Sequence, residues 1–343
     1  MSGGLLAKGR SSADFKIVSA LASFALVAML GEGAFPEPTA AGVLTPPTTI
    51  VRPGTAVPQA DYETDIRPDR IGRIIVPVMV NGSGPFQFLL DTGANRTVLT
   101  PRLVAELGLQ SSRDDPVTMS GVTGAEVVPT VFIERVSAGD LTLENQRLPV
   151  AYALGNDVDG VLGVDGFGNK RVLMDFVHHR VEIRASRSVA ALPDAKRSRT
   201  HFKFGLLMVA AGRVARVRVN VVIDTGSEYT LGNSALRNAL NLREEDPELG
   251  MTEVIGQTLT KQTGVRYEVQ DLEVAETQTR YVNVVFGEFY MFKLWGLDKE
   301  PTLVMGMDLM SGLDTLVIDY GRREVQFRTH KLRYQPGVSD RLY

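Results

Sequence analysis

The stretch Phe86-Gln87-Phe88-Leu89-Leu90-Asp91-Thr92-Gly93 returns in the second half of the chain as Val219-Asn220-Val221-Val222-Ile223-Asp224-Thr225-Gly226. Each copy is an apolar run of strand length that stops at Asp-Thr-Gly. Such a run, ended by a turn that contains glycine, predicts a buried strand that delivers the Asp to a loop. Two such carboxyls suggest a paired-acid catalyst, because two neighbouring Asp side chains do not both ionise.

The repeat extends into the residues that follow each Asp. A Thr stands six positions after each Asp, and Leu stands twelve, sixteen and eighteen positions after it. Leu at i and i+4 lies on one face of a helix, so each half predicts a strand, the Asp-Thr-Gly turn, a short strand and a short helix. Matching spacings on this scale indicate an internal duplication. The repeated residues are Thr97, Leu103, Leu107 and Leu109, and then Thr230, Leu236, Leu240 and Leu242.

Capping residues mark the ends of these predicted helices. Thr100-Pro101 is typical of an N-cap followed by Pro at the first helical position, and Gly108 is typical of a C-terminal stop. In the second half, Asn233 and Ser234 are both candidate N-caps.

The composition is that of a globular protein. The chain has 343 residues, of which 44% are hydrophobic and 22% charged, and its net charge is -3. This length favours two domains, and the mild acidity argues against a nucleic-acid partner. The chain has no cysteine, which excludes disulfides and thiolate chemistry, and its four histidines leave few bases for a Ser-His-Asp arrangement.

The N-terminus has the pattern of an export signal. Lys8, Arg10 and Lys16 precede the apolar residues 17–30, a run shorter than the roughly 20 residues that a membrane span needs. Residues 1–33 are therefore predicted to be a signal peptide or an uncleaved membrane anchor. The protein is then periplasmic or secreted, with residues 17–30 as the alternative membrane tether. Residues 34–69 are Pro-rich and predict an extended linker, which could also lie over the catalytic domain as a propeptide.

The remaining chain divides into two similar lobes. Residues 70–184 form the predicted first lobe, residues 185–200 an inter-lobe linker, residues 201–330 the second lobe and residues 331–343 a tail. Short apolar runs between turn residues predict a mostly β structure. A glycine-tipped hairpin is predicted at Val117–Val128, and the segment Val254–Thr260 occupies the corresponding place in the second lobe.

Two later motifs complete the duplication, namely Val161-Leu162-Gly163 and Val304-Met305-Gly306. With the two Asp-Thr-Gly motifs in the right order and spacing, they make the chain resemble aspartic peptidases, and the retropepsin type more than the pepsin type. The resemblance implies an all-β fold of two homologous retropepsin-like β-barrel lobes, each with one short helix, related by a pseudo-two-fold axis. It also implies a single-chain site, in a monomer, with Asp91 and Asp224 as the catalytic pair and neither metal nor cofactor.

The resemblance assigns supporting roles to the residues around this pair. Thr92 and Thr225 would hydrogen-bond across the pseudo-axis, and Gly93 and Gly226 would offer backbone N–H groups to the carboxylates. The hydroxyl of Ser227 could hydrogen-bond Asp224. The later motifs would support the Asp loops from behind, through Leu162, Gly163, Met305 and Gly306.

Two flap segments would cover a peptide that binds as an added strand. The first has the tip Gly121, Val122, Thr123 and Gly124. The second contains Gly256 and Gln257 but lacks the Gly-x-x-Gly pattern of the first, so the two halves differ in how they would contact substrate.

Other polar and aromatic groups have simpler interpretations. Asp165 and Asp308 are predicted to be loop or capping residues, and Asp175 and Asp319 to be structural. The adjacent residues His178 and His179 do not predict a metal site. They lie in a turn between two predicted strands, so their side chains point apart. The aromatic residues Phe289, Tyr290, Phe292 and Trp295 predict core or lobe packing.

These observations predict an aspartic endopeptidase that hydrolyses peptides or proteins, is most active at mildly acidic pH and is insensitive to chelators. Two alternatives stay open. One is an exported peptide-binding or scaffold module that kept the fold but has little activity. The other is a homodimer in which like lobes pair between chains.

Overall fold

The computed structural model describes residues 20–22, 26–28, 63–65, 67–68, 72–151, 158–205, 207–243, 250–256 and 261–329. The helices are α1 (Pro101–Glu106), α2 (Ser234–Ala239), α3 (Tyr290–Leu294) and α4 (Met307–Met310), with 3-10 turns at Phe167–Asn169 and Ser186–Ser188. The strands are β1 (Ala20–Ala22), β2 (Leu26–Ala28), β3 (Glu63–Asp65), β4 (Arg67–Pro68), β5 (Ile74–Val80), β6 (Ser83–Leu90), β7 (Val98–Leu99), β8 (Ser111–Ser120), β9 (Ala125–Ala138), β10 (Leu141–Pro149), β11 (Gly160–Leu162), β12 (Lys170–Asp175), β13 (Arg180–Ala185), β14 (Lys196–Lys203), β15 (Leu207–Val214), β16 (Val217–Ile223), β17 (Leu231–Gly232), β18 (Gly250–Gly256), β19 (Lys261–Val274), β20 (Thr277–Phe286), β21 (Thr302–Met305), β22 (Thr315–Asp319) and β23 (Glu324–Arg328).

The predicted all-β fold with two equivalent lobes is confirmed. The element order from β5 to β13, with α1 after β7, is repeated from β15 to β23, with α2 after β17. The prediction of one short helix per lobe is incomplete, since the second lobe also contains α3 and α4.

The same strand arrangement positions the Asp loop in each lobe. In the first lobe, β11 pairs in parallel with β6 and antiparallel with β7. In the second lobe, β21 pairs in parallel with β16 and antiparallel with β17. Each Asp strand therefore ends beside the strand that carries the later apolar-apolar-Gly motif, as the resemblance implies.

An antiparallel sheet joins the two lobes. Strand β12 of the first lobe pairs with β22 of the second, with Leu173 opposite Val317. Outside them lie β13 and β23, followed by β3 and β14, and β14 continues the sheet by pairing with β15. The pseudo-two-fold axis passes between β12 and β22, because the strands on either side of them correspond.

Residues 34–69 and 185–200, which the sequence predicts to be linkers, both contain secondary structure. Strands β3 and β4 lie in the first, and the second includes a 3-10 turn and the beginning of β14. Both β3 and β14 pair with an outer strand of the inter-lobe sheet, whose backbone N–H and C=O groups need partners. Strands β1 and β2 lie within the predicted signal segment, and the predicted tail lies outside the described residues.

One apolar core runs through both lobes. Leu90 and Ile183 of the first lobe belong to the same buried cluster as Ile223 and Ile318 of the second. Burial of such side chains is the main favourable term in folding. The relative position of the lobes is therefore fixed by core packing as well as by strand pairing.

Asn233, rather than Ser234, is the N-cap of α2. Its side chain also hydrogen-bonds the loop at residues 297–302. Its Oδ1 accepts from the N–H of Leu236 at 2.8 Å and of Thr302 at 3.1 Å. Its Nδ2 donates to the carbonyls of Leu297 at 2.8 Å and Glu300 at 2.7 Å.

We expect Asn233→Ala to lower the free energy of unfolding by about 3 kcal/mol, because the cap is lost and several buried backbone groups lose their partner. Urea denaturation measures this change. Thr100→Ala is the matched control, since Thr100 caps the equivalent helix α1 and its hydroxyl hydrogen-bonds, among the described residues, to Leu103 and Asp159. We expect it to cost about 1 kcal/mol. Equal losses in the two variants would contradict the additional role of Asn233.

Candidate active site

The structure brings Asp91 and Asp224 together at the interface between the lobes. Asp91 follows β6, Asp224 follows β16, and neither side chain has any exposed surface. A Cβ atom added to Gly93 would lie 2.6 Å from Cγ of Asp224. A Cβ atom added to Gly226 would lie closer still to Cγ of Asp91. The carboxyl of each lobe thus packs on the glycine of the other, and a larger residue at either position would push it away.

Reciprocal hydrogen bonds between Thr92 and Thr225 lock the two loops together. The N–H of each Thr donates to the hydroxyl of the other at 3.1 Å. The hydroxyl of Thr92 donates to the carbonyl of Ile223 at 2.8 Å, and that of Thr225 to the carbonyl of Leu90 at 2.7 Å. Each hydroxyl is therefore satisfied by the opposite lobe, as the resemblance implies.

Backbone donors hold one oxygen of each carboxyl. Oδ1 of Asp91 accepts from the N–H groups of Gly93 at 2.8 Å and Ala94 at 3.0 Å. Oδ1 of Asp224 accepts from the N–H of Gly226 at 2.8 Å. Oδ2 of each Asp receives no N–H or O–H from the other described residues.

Burial dominates the electrostatics of the pair. Loss of hydration raises the pKa of Asp91 from 3.8 to about 7, against the opposing effect of hydrogen bonds from Asp224, Gly93 and Ala94. Burial also raises the pKa of Asp224 well above 3.8, and the neighbouring negative charge of Asp91 raises it further. The two carboxyls interact, so their protons belong to the pair rather than to either residue alone.

A second pair of carboxylates supports the Asp loops from behind. Oδ1 of Asp165 accepts from the hydroxyl of Thr97 at 2.6 Å and from its N–H at 2.9 Å. The equivalent Asp308 accepts from the hydroxyl of Thr230 at 2.7 Å and from its N–H at 3.0 Å.

These Thr hydroxyls also hydrogen-bond the later apolar-apolar-Gly motifs. The hydroxyl of Thr97 accepts from the N–H of Gly163 at 3.3 Å, and that of Thr230 from the N–H of Gly306 at 3.2 Å. The prediction that Asp165 and Asp308 are loop or capping residues agrees with these contacts, and each also connects the Asp loop to the motif behind it. The repeated Thr at six positions after each Asp is the sequence signal that could have revealed this role.

The later motifs otherwise lie as expected. The N–H of Asp91 donates to the carbonyl of Leu162 at 3.0 Å, and the N–H of Asp224 to the carbonyl of Met305 at 3.2 Å. A Cβ atom added to Gly163 would lie 2.5 Å from the backbone of Arg96, and one added to Gly306 would lie 2.5 Å from the backbone of Tyr229. Glycine is required at both positions by this close approach.

The hydrogen bond expected from the Ser227 hydroxyl to Asp224 is not formed. The hydroxyl donates instead to the carbonyl of Tyr229 at 2.8 Å, within its own loop. A local carbonyl two residues further along the chain is in reach of a serine side chain, and such local bonds are common in turns. Ser227 therefore shapes the loop rather than holding the carboxyl with its side chain.

The first flap is formed by β8 and β9, and its tip crosses to the second lobe. Val122 is fully buried in a cluster that includes Val222 and Trp295, and its carbonyl accepts from the N–H of Met291 at 3.4 Å. A Cβ atom added to Gly256 would lie 2.6 Å from the Thr123 hydroxyl, so the two flap segments meet. Gly121 and Gly124 close the turn through a hydrogen bond of 2.7 Å. Gln257 lies outside the described residues.

The remaining side chains singled out in the sequence have structural partners. Asp175 accepts from the N–H and the ring of His178, and Asp319 accepts from Ser186 and Arg322. Phe289, Phe292 and Trp295 pack in the buried cluster that receives Val122, in agreement with the packing interpretation. Within the described ranges, no group of His, Asp or Glu could hold a metal ion, and no helix could cross a membrane. Export through residues 1–33 stays a prediction.

Comparison with known proteins finds a family resemblance over part of the first lobe. Residues 76–165 match the family model described as aspartyl protease. This segment includes Asp91, the first flap and Asp165, so the predicted resemblance to aspartic peptidases is confirmed on it. Among solved structures, the chain is similar to the crystal structure of an aspartic proteinase from Irpex lacteus, with 14% sequence identity and a TM-score of 0.49, covering 80% of this chain and 98% of that chain. No curated protein matches the chain.

We expect Thr225→Val to lower the free energy of unfolding by about 3 kcal/mol, because the N–H of Thr92 and the carbonyl of Leu90 lose their buried partner without a change in side-chain size. The control Thr225→Ser keeps the hydroxyl and should cost about 1 kcal/mol. Denaturant unfolding compares the two variants. A serine variant as unstable as the valine variant would show that the hydroxyl contacts contribute little.

We expect the free energy of unfolding to fall as the pH rises from 4 toward 7. The folded-state pKa values of Asp91 and Asp224 are raised above the ordinary 3.8, so the stabilisation by bound protons is complete below pH 4 and is lost toward the folded-state values. The change is on the order of a few kcal/mol. Asp91→Asn should show a shallower fall and exceed the wild type in stability at pH 8.

Asp175→Asn is the control for this measurement. The pKa of Asp175 is lowered, although burial opposes the shift, because His178 hydrogen-bonds to the carboxylate. Its contribution is therefore lost only as the pH falls below about 4. Between pH 5 and 8 this variant should keep the wild-type slope. A wild-type stability that is flat over this interval would contradict the raised pKa values of the pair.

Proposed function

We propose that the protein is an aspartic endopeptidase in which Asp91 and Asp224 activate a water molecule against a peptide bond. The observation that carries this proposal is a pair of fully buried carboxyls, one from each lobe, whose pKa values are both raised. Two adjacent carboxyls with one proton between them supply a base and an acid at the same place. The match of residues 76–165 to the aspartyl protease family supports the same chemistry for the Asp91 loop.

One carboxyl of the pair acts as base and the other as acid, and the roles are written here for one of the two equivalent placements of the proton. An ionised Asp91, held by two backbone N–H groups, takes a proton from water, whose oxygen forms a bond to the scissile carbonyl carbon. The protonated Asp224 donates its hydrogen to the carbonyl oxygen. When the tetrahedral intermediate collapses, the C–N bond breaks and the proton held by Asp91 goes to the leaving amine. Asp224 takes back its proton from the hydroxyl, which restores the starting pair.

The cover over the site suits an extended peptide. The first flap reaches from β8 to the second lobe, and its tip is anchored there through Val122. A peptide beneath it would lie between the flap and the Asp loops, shielded from bulk water. Its main chain would then pair with strand edges, and its side chains would be read in pockets on alternate sides.

We expect Asp91→Asn and Asp224→Asn each to reduce peptide cleavage by at least about a thousandfold, because either change removes the base or the acid. The assay uses the full chain with a mixed peptide library between pH 4 and 8, and mass spectrometry identifies the cut bonds. Asp175→Asn is the matched control, a buried Asp outside the pair that should keep full activity.

Three results would oppose this proposal in different ways. If only one Asp variant is inactive, the two-lobe site is wrong. If activity appears only in a dimer in which like lobes pair between chains, the single-chain site is wrong. If folded wild-type protein cuts no peptide at any pH and still binds peptides, the peptide-binding module is the better assignment.

A further inference from the structure

A cleft of about 630 Å³ lies between the start of β12, the end of β22 and the segment that follows β13. Its volume is typical of sites for small ligands. We call it the inter-lobe cleft, because both lobes contribute to its walls. Its lining includes Gly168, Asn169, Ser186, Arg187, Gly321 and Arg322, and none of these residues belongs to an Asp loop or a flap.

The inter-lobe cleft adjoins the polar face of β12 and β22. These strands turn their apolar side chains toward the core, so the alternate residues Arg171 and Asp319 lie on the opposite face of the sheet. Arg171 and Asp319 are directly opposite each other in the strand register. Oδ1 of Asp319 accepts from the Ser186 hydroxyl at 2.6 Å, and Oδ2 accepts from Nη1 of Arg322 at 2.8 Å. Two side chains of the cleft wall are therefore held by the carboxylate that neighbours Arg171.

Arg171 is a charged side chain in a buried position. Only 2% of it is exposed, and burial lowers its pKa, although the negative charges of Asp319 and Glu182 oppose the shift. Among the described residues, Nε and Nη2 of Arg171 have no hydrogen-bond partner. A buried guanidinium that lacks acceptors is costly, and a further negative charge nearby would reduce that cost.

Positive charge exceeds negative charge around the inter-lobe cleft. Asp319 is paired with Arg322, and Oε2 of Glu182 lies 3.3 Å from Nε of Arg184. Arg187 is exposed on the cleft wall and forms no ion pair within the described part of the chain. With Arg171, four guanidinium groups thus stand against two carboxylates, a balance of +2. At the edge of the cleft, the charges of Lys170 and Asp140 offset each other.

We propose that the inter-lobe cleft binds a small ligand through an oxyanion group, either a phosphate or a carboxylate. Arg187 and Arg322 lie in its walls, and a guanidinium presents paired N–H donors that match the oxygens of such a group. A cleft lined by charge of one sign also concentrates ions of the opposite sign. Gly168 leaves room for the ligand, since a Cβ atom added there would have no neighbour within 4 Å. This inference does not depend on the proposed function.

A ligand in the inter-lobe cleft would contact both lobes at once. Gly168 and Asn169 directly precede β12, whereas Gly321 and Arg322 follow β22. These are the two strands that join the lobes. A ligand that binds only this folded arrangement stabilises it, so the free energy of unfolding should rise with ligand concentration.

Isothermal titration calorimetry of the full-length protein tests the proposal, with inorganic phosphate and citrate as probes at constant ionic strength. We expect saturable binding, and the probe that binds more tightly identifies the phosphate or the carboxylate class. Arg187→Gln should weaken binding about tenfold, because it removes charged donors from the cleft wall. Arg216→Gln is the matched control, since it removes the same charge from an exposed Arg in the β15–β16 turn. Equal affinity in all three proteins, or no saturable binding to wild type, would overturn the proposal.

Gly168→Glu and Gly168→Gln separate charge from bulk. The two new side chains are similar in size, and position 168 has open space around it. Gly168→Glu should weaken binding at least about tenfold, because it places a carboxylate beside the bound anion. Gly168→Gln should stay within about twofold of wild type. Equal weakening by both variants would show that the site responds to bulk alone and would overturn the oxyanion assignment.

Urea denaturation tests whether the ligand stabilises the joined lobes. At about ten times the wild-type Kd, the probe should raise the folding equilibrium constant about tenfold for wild type and Arg216→Gln, but only about twofold for Arg187→Gln. General effects of phosphate or citrate on folding are shared by all three proteins. An equal gain in all three would contradict binding at the inter-lobe cleft.

The variant Asp91→Asn separates the inter-lobe cleft from the Asp pair. It should bind the probe as tightly as wild type does, because Asp91 is not among the residues that line the cleft. A changed affinity in this variant would place the anion at the Asp pair and overturn the proposal. Unchanged binding supports the inter-lobe cleft whether or not the protein cleaves peptides.

Discussion

The structure depends on one unfavourable juxtaposition, the burial of two carboxyls side by side. Removing Asp91 and Asp224 from water raises the pKa of each, and ionising both would place two negative charges in contact. The surrounding loops counter this with backbone N–H groups aimed at Oδ1 of each carboxyl. The two carboxyls stay together because contacts with the opposite lobe hold each Asp loop in place. Each Thr hydroxyl is bonded to the other lobe, and each carboxyl packs against the opposite glycine.

The architecture can be understood as the support for that contact. Strands β12 and β22 join the lobes in one sheet, and a continuous apolar core prevents the lobes from separating. Behind each Asp loop, a Thr, an Asp and a Gly connect the loop to the adjacent strand through Thr97 with Asp165 and Thr230 with Asp308. These contacts hold each Asp loop against the strand behind it. Positional accuracy of this kind is what proton sharing requires, since hydrogen-bond geometry tolerates little displacement.

The sequence predicted the parts of this design that are local or repeated. The Asp strands, the cap at Thr100 and the lobe duplication follow from apolar runs and turn residues that act on their own neighbourhood. The connecting role of Asp165 and Asp308 was not predicted because their partners are 68 and 78 residues away, and no local pattern encodes such a contact. The strand β14 was missed because its polar sequence lacks a period, and the unpaired edges of β23 and β15 are what order it. The hydroxyl of Ser227 was misassigned because two acceptors were in reach and the loop conformation decides between them.

The two lobes differ in sequence around the flap tips, and this difference makes the cover over the Asp pair asymmetric. The first flap tip is anchored by Val122 in a cluster built from the second-lobe residues Met291, Phe292 and Trp295, which belong to α3 and its end. The anchorage of Val122 therefore makes the described cover over the Asp pair asymmetric. A peptide has a direction, so a symmetric site would bind it in two opposite ways. Under the proposed function, an asymmetric cover on a pseudo-symmetric pair of carboxyls would distinguish these two orientations.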